Sequence, residues 1–164
     1  MPPLRKHEGD VADALVATAP LATRWIQRLL AAHDPPLTVA QLLALRTVAA
    51  GPVTAVELAR RTGVSGAAVS QLVAGLEQSG LLARAPSVDD RRRLALRLSP
   101  RGQQVLASTS RLLRARIAEL VAGIPPPEAD GLTRGLEHVE SALAGTPPPR
   151  RPPPPSKHPP PHRR

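Results

Sequence analysis

Residues 54–98 read TAVELARRTGVSGAAVSQLVAGLEQSGLLARAPSVDDRRRLALRL, and the reading of this stretch decides the fold. Thr54 and Glu57 stand at capping-box spacing, which predicts a short helix from Thr54 to about Thr62-Gly63. Ser65 is a good N-cap for a second helix reaching about Ser79, and Gly80 ends it. The hydrophobic period then changes. Leu81 and Leu82 open a strand, and Leu94, Leu96 and Leu98 alternate with Ala95 and Arg97 in the period of two of a half-buried strand. Ser87-Val88-Asp89-Asp90-Arg91-Arg92 between them reads as the polar tip of a hairpin. Two helices joined by a short glycine turn, followed by a hairpin, is a helix-turn-helix with a wing.

On the N-terminal side, Thr38 begins a helix whose apolar set is Leu42, Leu43, Leu45 and Val48, and Gly51-Pro52 stops it. Further out, Leu15, Leu21, Ala22, Trp25, Ile26, Leu29 and Leu30 recur at helical spacing between Val11 and Ala32. Pro20 inside this stretch predicts a kink or a late helix start. Asp34-Pro35-Pro36 forces a break. On the C-terminal side, Ser99-Pro100 is an N-cap with proline at the first helical position. A long helix follows to about Ala122, carrying Val105, Leu106, Leu112, Leu113, Ile117 and Leu120. Ile124-Pro125-Pro126-Pro127 breaks it. A last helix over about 128–144 aligns Leu132, Leu136, Val139 and Leu143. The expected fold is mainly α with a small β-hairpin wing. Residues 1–9 read as a flexible arm, 10–144 as one domain, and 145–164 as a Pro-rich basic tail expected to be disordered or extended.

Composition excludes several functions. The chain has 164 residues, 22 Lys+Arg against 13 Asp+Glu, and a formal charge of +9. Five of the cations (Arg150, Arg151, Lys157, Arg163 and Arg164) lie in the tail, while every acid lies before residue 147. Such a balance suits a polyanion. No cysteine is present, so disulfides, thiolate metal sites and cysteine redox switches are excluded. One Trp and no Phe or Tyr argue against base stacking on single strands. No apolar run approaches the ~20 residues that span a bilayer, and the N-terminus has no signal-peptide core. A cytoplasmic protein with no membrane partner is expected.

The chemistry sits in the helix-turn-helix and the hairpin. In such a pair the second helix enters the major groove. Burying Ala68, Val69, Leu72, Val73 and Leu76 leaves Gly66, Ala67, Ser70, Gln71 and Ala74 facing outward. Short residues permit close approach, Gln71 can pair with adenine, and an Ala can touch a thymine methyl. Ser65, Gly66, Ala67, Ser70 and Gln71 are therefore the expected base-facing set. At the hairpin tip, Arg91, Arg92 and Arg93 suit phosphates and a narrow, negative minor groove. Asp90 is expected to hold Arg92 in place. Either feature alone also reads as a solvated surface; their juxtaposition favours double-stranded DNA.

The run Leu37–Leu106 resembles the MarR family of regulators. The resemblance lies in Leu37-Thr38, Gln41, Leu45, Gly51-Pro52, Glu57-Leu58-Ala59 and Gly63-Val64-Ser65. It continues through Ala68-Val69-Ser70, Leu72-Val73, Leu76-Glu77, Gly80-Leu81, Asp90-Arg91-Arg92 and Leu98-Ser99 with Gly102. It implies a winged helix-turn-helix over about 37–99, flanked by dimerisation helices over about 11–33 and 100–144. It also implies a homodimer, a pseudo-palindromic target, an Asp-x-Arg wing with Arg92 reaching the minor groove, and a small-molecule effector in many members. A repressor is the expected outcome.

Other candidates read more plainly. His7, His33, His138, His158 and His162 form no close ligand pair, so no metal or cofactor is expected. Trp25, with Arg24 and His33, reads either as core or interface or as lining for a ligand pocket. No nucleophile elbow, P-loop or dinucleotide fingerprint supports an enzyme. A winged helix that binds a protein, with the tail as recruiter, is the rival reading. The tail's cations can add phosphate contacts, its prolines can fill a protein groove, or it can be a spacer.

Overall fold

The computed structural model describes residues 6–86 and 94–145. Helix α1 spans Lys6–Ala31, α2 Val39–Ala49, α3 Ala55–Thr62 and α4 Gly66–Gln78. Strands β1 (Leu82–Pro86) and β2 (Leu94–Leu98) follow, then α5 (Pro100–Val121) and α6 (Pro126–Gly145). The chain divides into two units, residues 1–123 and 124–164, and α6 belongs to the second.

Each helix start within residues 38–102 is set by a hydroxyl. The side chains of Thr38, Thr54, Ser65 and Ser99 accept the backbone N–H groups of Gln41, Glu57, Ala68 and Gly102, satisfying donors that a helix start leaves free. The reciprocal half of the capping box forms at α2, where the Thr38 N–H donates to Gln41 Oε1 at 2.8 Å. It does not form at α3, because the Glu57 carboxylate turns to Arg60 and Arg61 instead. The box legible at Thr54–Glu57 is thus half made.

Two glycines close the turns. Gly63 lies at φ 68° between α3 and α4, and Gly80 at φ 72° after α4, a backbone region costly for residues with a Cβ. After α4 the Leu81 N–H reaches back to the Leu76 carbonyl at 2.8 Å, the six-to-one bond of a Schellman ending.

The strands pair antiparallel, with Leu82 opposite Leu98, Arg84 opposite Leu96 and Pro86 opposite Leu94. On its other side β2 bridges Val53, whose carbonyl accepts the Leu96 N–H at 2.7 Å. The expected alternation of leucines fails here. Leu94 is 53% exposed, whereas the adjacent Ala95 and Leu96 are both buried. Strand β2 packs against α2 and α5, so both its faces are covered at 95–96, while Leu94 lies nearer the tip.

The core joins Leu30 of α1, Leu42, Leu45 and Val48 of α2, Leu58 of α3, and Val69, Val73 and Leu76 of α4 to Leu82, Leu96 and Val105. Leu43, expected in the α2 apolar set, is half exposed, and Ala44 takes the buried position. Gly102 sits against Leu81, where an added Cβ would strike the carbonyl oxygen.

Helix α1 begins at Lys6, inside the stretch read as a loose arm, and runs through Pro20 as one helix. The late start anticipated at Pro20 does not occur. Pro20 is exposed, so water can take the carbonyl its ring leaves unpaired. In the second unit, α6 starts two residues before the expected 128, and its Leu132, Leu136 and Leu143 are all exposed.

Candidate nucleic-acid interface

The outward face of α4 follows from what the core takes. Val69, Val73 and Leu76 are buried at three- and four-residue spacing, which turns the opposite side to solvent. Ser65, Gly66, Ala67, Ser70, Gln71 and Ala74 are all exposed. Two details differ from the expected inner face. Ala68 is exposed and Leu72 only half-buried.

The polar groups on this face are not equally available. The Ser70 hydroxyl donates to the Gly66 carbonyl at 2.9 Å, so it can accept from a partner but can donate only by releasing that carbonyl. Among the described residues the Gln71 side-chain amide has no hydrogen-bond partner, so its valences stay available to a ligand. Nothing lies within 4 Å of a Cβ built on Gly66. The protein's own packing does not demand glycine there; its effect is to flatten the first turn.

Asp90, Arg91, Arg92 and Arg93 lie outside the described residues, and so does the expected Asp90–Arg92 contact. What is described is the support: the β1–β2 ladder, whose last pair, Pro86–Leu94, flanks the tip sequence.

Two charge clusters near this surface escaped the sequence reading. On α3, Glu57 accepts from Arg60 Nε at 2.9 Å and Nη2 at 2.6 Å, and from Arg61 Nε at 2.7 Å. These hydrogen bonds hold the Glu57 carboxyl down at about 2, and the same contact raises the Arg60 guanidinium. The signal was present as Glu followed by Arg at three and four residues. Between α4 and β1, Arg84 Nε donates to Glu77 Oε1 at 2.7 Å and Nη2 to Oε2 at 3.1 Å. No periodicity reveals a pair that spans a helix, a glycine turn and a strand.

Away from this face, an open groove of about 970 Å³ runs between α1 and α5. Leu21, Arg24, Trp25, Arg28, Ile117 and Leu120 are among its lining. Trp25 and Arg24 thus share a cavity wall, but His33 does not line it. Its Nδ1 meets the Pro35 carbonyl at 3.0 Å and its Nε2 the Ser108 hydroxyl at 3.1 Å, so it ties the end of α1 to α5. Among the described residues no cluster of His, Asp or Glu could hold a metal ion, and no helix is long and apolar enough to cross a membrane.

A sequence profile of the MarR family matches residues 36–93. The HTH-type transcriptional repressor Rv2887 of Mycobacterium tuberculosis (strain ATCC 25618 / H37Rv) is 30% identical over 106 residues, spanning 64% of this chain and 76% of the relative. Among solved structures, RV1404 of Mycobacterium tuberculosis matches with a TM-score of 0.73 at 28% identity, over 90% of this chain and 100% of that one. FabT of Streptococcus pneumoniae, solved in complex with DNA, matches with a TM-score of 0.68 at 18% identity, over 82% and 96% of the two chains. At that identity FabT shows a shared fold.

Proposed function

The chain belongs to the MarR family of DNA-binding transcriptional regulators, and on that premise we propose that it is a cytoplasmic repressor acting as a homodimer on a pseudo-palindromic operator. Its relatives are transcriptional regulators rather than enzymes. The observation that carries the reading is the outward face of α4: short residues, a free Gln71 amide and a flat first turn. Ser65, Gly66, Ala67, Ser70 and Gln71 enter the major groove. Arg91, Arg92 and Arg93 grip the flanking minor groove, with Asp90 orienting Arg92. Two such helices in a dimer reach successive major grooves about one helical turn apart. Few base-reading groups stand on α4, so the repressor leans on groove shape and phosphate contacts.

Dimerisation is supported by apolar residues left uncovered. In the first unit Val11, Val16 and Leu21 of α1 and Leu120 of α5 are each more than half exposed. Such surface is costly in water unless a partner covers it. Release by a small-molecule effector is favoured by the groove beside Trp25, where apolar walls meet Arg24 and Arg28. A ligand preferring one arrangement of the helices lowers DNA affinity by its differential binding.

Duplex titrations test the site. Arg92→Ala should weaken binding across all sequences, by about 1–3 kcal/mol, and flatten the salt dependence. Gln71→Ala should instead relax preference at one base pair of each half-site. Wild-type affinity and salt slope in Arg92→Ala would overturn the wing assignment.

A further inference from the structure

Strand β1 is anchored unevenly. Leu82 at its start is buried, but Ala83, Arg84 and Pro86 are exposed and Ala85 is only half-buried. Apolar packing therefore does not hold its outer half. A two-stranded ribbon twists more freely than a wider sheet, so the β1–β2 ladder alone leaves the direction of the hairpin loosely defined. One contact opposes this. Arg84 stands on the same strand face as the buried Leu82, the alternation placing 82 and 84 on one side. From there its guanidinium meets both carboxylate oxygens of Glu77, in the last turn of α4, at 2.7 and 3.1 Å. A two-point guanidinium–carboxylate contact fixes orientation as well as distance, which a single hydrogen bond does not.

We propose that Glu77 and Arg84 form a strut that sets the angle of the hairpin relative to α4, so that wing and recognition helix engage adjacent grooves together. Both are positioning residues, and neither need touch DNA. The inference rests on the wing reading given above. Wild-type Arg84 is engaged by Glu77 rather than presented to phosphate. The strut therefore acts through geometry, and its loss moves minor-groove contacts while leaving those of α4 in place.

The test uses full-length protein and a duplex enriched by the wild type from a random pool. Affinity, hydroxyl-radical protection of the minor groove and methylation protection of major-groove guanines are measured for Glu77→Gln, Arg84→Ala, Arg84→Lys and the swap Glu77→Arg with Arg84→Glu. Thermal midpoints are recorded to separate folding from positioning. Glu77→Gln and Arg84→Ala should lose roughly fivefold in affinity and lose minor-groove protection, with major-groove protection and midpoint retained. Arg84→Lys keeps the charge without the fork and should recover little. The swap should restore both affinity and minor-groove protection. Restored affinity excludes direct phosphate contact by Arg84, since the swap puts a carboxylate there. A swap worse than either single variant would overturn the strut in favour of that contact. Undiminished minor-groove protection in the single variants would overturn the strut and leave the wing reading standing. Absent minor-groove protection in the wild type would overturn both.

Discussion

At the residue scale, Gly102 is held to its identity by a neighbour 21 positions away in sequence. A Cβ there would drive into the Leu81 carbonyl oxygen, and that carbonyl also accepts the Ser99 N–H at 3.1 Å, so it cannot swing aside freely. Gly102→Ala should therefore destabilise the protein by about 1–3 kcal/mol, read as a lower denaturant midpoint at unchanged slope. A neutral result would mean that α5 shifts away without loss. The sequence marks Gly102 only as part of a familiar pattern; the reason lies in a contact between α5 and the start of the hairpin. Glu57 gives a pH prediction. Its carboxyl is held at about 2 by Arg60 and Arg61, against a usual 4.5. A depressed carboxyl pKa stabilises the fold above the unfolded value, and that contribution disappears as pH falls through the folded one. The stability advantage of wild type over Glu57→Gln should be constant from pH 7 to 5 and close between 4.5 and 2. Because the pair is exposed, the advantage is small and shrinks in salt. An advantage already closing at pH 6 would contradict the assignment.

At the element scale, the caps were readable because each acts within four residues. Thr38, Thr54, Ser65 and Ser99 all start helices, and local chemistry suffices for that. Burial was less readable. The β2 leucines follow the period of a strand with one covered face, yet helices and the Val53 segment enclose 95–96 on both sides. Ala68 has the spacing of a buried residue but is exposed. Pro20 was read by its local cost, and α1 tolerates that cost along 26 residues. Relieving it should show: Pro20→Ala is expected to raise stability by up to about 3 kcal/mol. Calorimetry checks this, and an unchanged or lower midpoint would contradict a net cost of Pro20 within α1.

At the scale of the whole molecule, the sequence shows apolar stripes on α1, α5 and α6 without saying what covers them. A stripe has the same spacing whether it faces its own core or a second chain. The structure separates the cases in part. Leu30 and Val105 are buried within the first unit, whereas Leu21 is 60% and Leu120 69% exposed. Arg91, Arg92 and Arg93 were legible as a basic run between two strands, and they lie outside the described residues. The outward face of α4 was legible as what the core leaves over, and Ser65, Gly66, Ala67, Ser70 and Gln71 are exposed. Family membership supplies DNA as the partner, and the two-fold assembly proposed above sets the form expected of the target. A homodimer with one recognition helix per subunit requires two equivalent half-sites in inverted order.

Selection of duplexes from a random pool by the full-length protein, followed by alignment of the bound sites, tests this most directly. The predicted result is an inverted repeat with centres about one helical turn apart, weak base preference within each half and A·T-rich flanks where the wings lie. No enrichment over the starting pool, or a single unpaired motif, would contradict it.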